Sequence, residues 1–135
     1  MKSGEHFLLS LPVVGWMLAA LGDRYSSRQR AALAGYGLGL GVLIDLDHFL
    51  LARLRVGDWR HARNCLRNPK RVFFDQKNLF EGTGGMANLR LLSHVLIAGP
   101  LTVLTGLIDR RLGILTGAVL YVHVLADLLR DNDIV

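Results

Sequence analysis

The stretch AGYGLGLGVLIDLDH, residues 34–48, decides how the chain is read. Gly35, Gly37, Gly39 and Gly41 form an apolar, small-residue helix in two overlapping GxxxG registers, the pattern that lets helices approach closely in a membrane. That helix then runs without a break into Asp45, Asp47 and His48. An ionisable side chain inside a spanning segment costs about 2.5–3.5 kcal/mol on insertion scales, so three together call for a function.

Working outward, three more apolar segments appear. Phe7–Leu21 carries Pro12 and Gly15 and is short for a span. Leu91–Ile108 has Pro100 near its middle, where a kink is expected. Leu112–Leu129 brings a further small-residue pair, Gly113 and Gly117. With Ala31–Leu54 this makes an all-α, polytopic membrane bundle of about four transmembrane helices. The 135 residues leave room for one domain, 1–135. Half the chain is hydrophobic (51%) with 15 glycines, a composition that suits packed membrane helices better than a soluble domain. Met1–Lys2 before an apolar run faintly resembles a signal peptide, but cleavage after the small-residue stretch 18–22 would remove a structural helix.

The connectors are unequal. Ser26 and Ser27 are placed to cap the second helix, and Asp109-Arg110-Arg111 forms a tight turn that makes the last two helices antiparallel neighbours. The long connector, 55–90, is basic; its Phe73-Phe74 and Leu79-Phe80 pairs suggest an amphipathic piece at the interface, before the flexible run 82–85. Alternating spans put eleven of the 16 Lys and Arg residues on one side, so both termini and the connector are expected to be cytoplasmic in a multi-pass cell-membrane protein. The single cysteine, Cys65, excludes an intrachain disulfide. Arg63 and Arg67 beside it would lower its pKa, although an incidental loop thiol is the simpler reading.

Alternation also gathers the polar exceptions. His6, Asp45, Asp47, His48, His94, His123 and Asp127 all fall within about 12 Å of one interface at the α-helical rise per residue. Unrelated substitutions would scatter in depth. His123 and Asp127 stand at i and i+4, and Asp45 and His48 at i and i+3, so each pair shares a helix face. Asp47 lies about 100° from His48 and joins them only if the helix loosens there. Imidazole with carboxylate suits Zn²⁺, with Mn²⁺ or Fe²⁺ as alternatives, and the absence of paired cysteines argues against a purely structural zinc. Each piece alone has a plain structural reading: HxxxD as an intrahelical contact, His94 and His6 as interfacial residues, His61 as a solvated residue among arginines.

Ile44-Asp-Leu-Asp-His48, Arg90-Leu-Leu-Ser-His94 and His123-Val-Leu-Ala-Asp127, with His6 near the start, resemble in order and spacing the predicted membrane-bound metal-dependent hydrolases, a family labelled in part as LexA-binding inner-membrane proteins. That family is distantly similar to zinc-dependent phospholipase C. The resemblance implies Asp45, His94, His123 and Asp127, with His6, as metal ligands, and Asp47 or His48 as ligand or general base. Ile44 stands where the family commonly has Pro. Leu89 stands where it commonly has His, which would remove one potential ligand from a two-metal site.

The expected function is hydrolysis of a phosphoester or lipid headgroup at the cytoplasmic face, with Asp47 as base and anionic lipid attracted by Arg53–Lys77. The alternative is a non-catalytic membrane module in which the cluster holds the helices together and the connector binds a partner protein or lipid. Nucleic acid is not expected, since Trp59 is one aromatic among many cations. An ion carrier fits less well, because the polar residues stop at one leaflet.

Overall fold

The computed structural model describes residues 3–21, 25–71, 76–80, 82–83 and 86–134; these are helices and turns, with no strand among them. The helices are α1 (Ser3–Leu21), α2 (Ser27–Leu43), α3 (Asp47–Val56), α4 (Arg60–Arg67), α5 (Gln76–Leu79), α6 (Ala87–Ile108) and α7 (Arg110–Asp131). A 3₁₀ turn, Ile44–Leu46, joins α2 to α3.

Local chemistry sets the ends. Ser26 caps α2 in a capping box: its side chain accepts from the Gln29 N–H, and the Gln29 side chain accepts from the Ser26 N–H. Asp109 caps α7 by accepting from the N–H groups of Arg111 and Leu112. Gly57, at φ 89°, closes α3 with a left-handed cap. α6 runs through Pro100 as one helix.

Two helices, α6 and α7, are long and apolar enough to cross a membrane, each with 22 residues and mean hydropathy 1.9 over its best window. Four spans were expected. The difference lies in the first half of the chain: α1 spends its first turn on Ser3, Gly4, Glu5 and His6, and α2 stops at 17 residues where the 3₁₀ turn begins.

α7 is the central helix, packed against α6, α1 and α2. Its inner face is uniformly buried, from Gly113 and Thr116 through Leu120 to His123 and Asp127. α1 contributes a matching stripe at helical spacing: Ser3, His6 and Ser10 are buried, then Val14 and Met17 join Leu115 and Val119 in the apolar core. Both stripes turn from apolar to polar toward the same end of the bundle. Of the two overlapping registers on α2, one is used. Gly37 and Gly41 face Val14, Leu115, Ser10 and Val119, whereas nothing approaches Gly35 closely and only a leucine of its own helix approaches Gly39. Gly113 packs directly against the Gly106 backbone of α6.

In the connector, two expectations change. His61 is buried rather than solvated; its Nδ1 lies 2.7 Å from the Leu79 carbonyl oxygen, and its ring stacks on Phe80. The Cys65 thiol is pushed up, not down, because partial burial outweighs its cationic neighbours. Asp58, at the surface, is held below the usual carboxylate range by its hydrogen bond from Arg60. Phe73-Phe74 and residues 84–85 lie outside the described residues.

Candidate metal centre

All seven residues singled out by depth converge on one point at the polar end of the bundle. His6 comes from α1, Asp45 from the 3₁₀ turn, Asp47 and His48 from α3, His94 from α6, and His123 and Asp127 from α7. Six of them, excepting Asp47, are 3% exposed or less, and the Asp47 side chain is 8% exposed.

The 3₁₀ turn is what admits both aspartates. At three residues per turn, positions i and i+3 eclipse, so Asp45 and His48 point the same way. Asp47 then stands about 120° from Asp45, where an α-helix would place it about 160° away. Its Oδ1 comes to 3.3 Å from His94 Nε2 and 3.7 Å from His48 Nε2.

Donor atoms crowd around Asp45 Oδ1. His123 Nε2 lies at 3.4 Å, His48 Nε2 at 3.6 Å and His94 Nε2 at 3.8 Å. On α7, His123 Nε2 is 3.6 Å from Asp127 Oδ2, and His6 Nε2 is 3.1 Å from Asp127 Oδ1. Most of these separations exceed a hydrogen bond, which needs about 2.7–3.2 Å. They match ligand spacing instead: donors held about 2.0–2.2 Å from one ion in a tetrahedral shell stand about 3.3–3.6 Å apart.

Hydrogen bonding leads to the same conclusion. Asp45 Oδ1, Asp47 Oδ1, His94 Nε2 and His123 Nε2 are buried and have no hydrogen-bond partner. Among the described residues no Lys or Arg pairs with Asp45 or Asp47; the nearby Arg90 is taken by Asp131 at 3.0 Å. A buried carboxylate oxygen left without a partner is costly, and a cation among these atoms would offset that cost.

Outer contacts orient the donors. His123 Nδ1 is 2.9 Å from the Gly41 carbonyl oxygen, which can only accept; the proton therefore sits on Nδ1 and the Nε2 lone pair faces the cluster. Ser3 donates to Asp45 Oδ2 at 2.9 Å, leaving Oδ1 as the inward atom. Ser93 donates to Asp47 Oδ2. The His6 and His123 rings stack with their centroids 3.7 Å apart. Sequence reasoning missed Ser3, Gly41 and the partner of Ser93. Ser3 could have been found, since it lies one turn before His6 on the same face. A backbone carbonyl leaves no trace in composition.

Within the cluster the described residues form two sets whose donor atoms lie within 4.8 Å of one another: His6, Asp45, His123 and Asp127, and Asp45, His48 and His94. Buried His and Asp groups able to hold a metal ion are thus a property of this fold. Leu89 is exposed. No protein-family model, no curated protein and no solved structure matches the chain.

Proposed function

We propose that the protein is a membrane-bound, metal-dependent hydrolase of phosphoesters, zinc being the ion that its imidazole–carboxylate donors suit best. The observation that carries this reading is the spacing of His123 Nε2 from Asp45 Oδ1 and Asp127 Oδ2, 3.4 and 3.6 Å, longer than hydrogen bonds and right for a shared cation. His6, Asp45, His123 and Asp127 would hold the ion. Its chemistry is that of a Lewis acid, which polarises a phosphoryl oxygen and makes water acidic enough to attack near neutral pH. The chain's own part is to fix the donors through Gly41 and Ser3 and to keep bulk water from the cluster.

Membrane residence is supported by the outward face of α6, where Leu92, Val95, Leu96, Val103, Leu104 and Leu107 are exposed. In this reading α1 and the α2–α3 run complete a four-span bundle with cytoplasmic termini. The cluster then lies at headgroup depth beside the basic connector, which favours an anionic phospholipid substrate.

The test is hydrolysis of a chromogenic phosphodiester and of an anionic phospholipid by the zinc-loaded full chain in nanodiscs. Activity abolished by chelator and in Asp127→Ala supports the reading. A folded, zinc-loaded protein that cleaves neither substrate overturns it and leaves a structural metal cluster.

A further inference from the structure

We infer that the cluster is built for two cations sharing Asp45, the second held by Asp47, His48 and His94. This rests on the metal-centre reading above but not on hydrolysis. Asp45 belongs to both donor sets, and its inward Oδ1 faces His123 on one side and His48 and His94 on the other.

In the second set, His48 Nε2 and His94 Nε2 lie 3.6 and 3.8 Å from Asp45 Oδ1, and 3.7 and 3.3 Å from Asp47 Oδ1. These cluster around the ligand–ligand separation of a tetrahedral shell, about 3.3–3.6 Å. Asp47 Oδ1 and His94 Nε2 are buried and unpartnered, so the second set has its own unmet demand for a cation. One ion at the first set would leave that demand unanswered.

Each second-set donor is also aimed from behind. Ser93 on α6 holds Asp47 Oδ2, leaving Oδ1 to face inward. His94 Nδ1 lies 3.6 Å from Asp127 Oδ2, a carboxylate oxygen of the first set, while its Nε2 is the atom near Asp45 and Asp47. The Phe80 ring meets His48 edge-on at 5.8 Å and covers that side. Asp47 and His48 thereby become ligands rather than general bases.

The experiment is titration of Zn²⁺ alone into metal-stripped, detergent-purified full chain, read by elemental analysis. Two equivalents in the wild type and one in a folded Asp47→Asn/His48→Ala variant are expected. One equivalent or none in the wild type, or two or none in the folded variant, overturns the inference. Should the double variant misfold, the Mn²⁺-loaded wild type decides. A spin-coupled pair in its paramagnetic resonance spectrum supports the shared site, and isolated Mn²⁺ signals overturn it. Hydrolysis by a one-zinc protein would sink this inference while sparing the proposed activity; two zincs without hydrolysis would do the reverse.

Discussion

His123 Nδ1 stands 2.9 Å from the carbonyl oxygen of Gly41, so the backbone of α2 sets the tautomer of a donor on α7. The contact exists because Gly41 has no side chain: a Cβ there would overlap Ser10 Oγ and come within 3.1 Å of Ser10 Cβ. Gly41→Ala should therefore push α1 and α2 apart and move the carbonyl, weakening zinc affinity about 10–100-fold, the usual cost of a lost outer-shell partner. Adding Ser10→Ala should restore part of the loss. Calorimetric zinc titration checks both, and unchanged affinity in Gly41→Ala alone would show that the carbonyl does not orient the ring.

Ser3→Ala should also weaken zinc binding. Its hydroxyl donates to Asp45 Oδ2, and without that hydrogen bond the Asp45 carboxylate is less well fixed. The expected loss is about tenfold in affinity. In the metal-free protein the lost buried hydrogen bond should cost about 1 kcal/mol, readable as a lower thermal midpoint in detergent.

Metal removal should destabilise the fold, since the cluster would then bury carboxylates against imidazoles with no cation between them. At free zinc one hundred times Kd, binding contributes about 2.7 kcal/mol per site. Chelator should lower the melting temperature of the wild type and leave a His123→Ala/Asp127→Ala variant unmoved. Equal shifts in both proteins would place the metal elsewhere.

The two helical glycine stripes should respond differently to methylation. Gly113→Ala sets a Cβ 2.5 Å from Gly106 Cα and 2.8 Å from its nitrogen, backbone atoms that cannot turn aside. Destabilisation of about 1–3 kcal/mol or more is expected as α6 and α7 separate. Nothing lies within 4 Å of a Cβ at Gly35, and Gly35→Ala should be neutral or stabilising by up to about 1 kcal/mol. Thermal unfolding of the two variants side by side would decide it.

Cys65 should be a slow thiol. Its folded pKa is raised by burial, so at pH 8 a smaller fraction is thiolate than in a free cysteine peptide. Alkylation by iodoacetamide should be slower than for the peptide at pH 8, and its rate should still be climbing above pH 9. A rate already at its plateau by pH 8 would mean that Arg63 and Arg67 dominate after all.

The helical class, the capping signals at Ser26 and Asp109, and the gathering of seven polar residues at one end were all legible in the sequence. Helical periodicity and alternation suffice for that, because depth along a helix is counted residue by residue. The Ala31–Leu54 segment shows where counting stops. It reads as one span, but two aspartates and a histidine must reach one point, and the 3₁₀ turn at Ile44–Leu46 that brings them there divides the helix. His61 was misread for a related reason: its neighbours in sequence are arginines, while its neighbours in space are Leu79 and Phe80. Sequence alone determined which residues share a face and a depth. Only the tertiary structure decided that Asp45 lies between two donor sets, that Gly41 rather than Gly39 is the contact, and that Ser3 and Ser93 aim the carboxylates. Those relations depend on the rotation of each helix about its own axis, which packing against three neighbours sets and no single segment encodes.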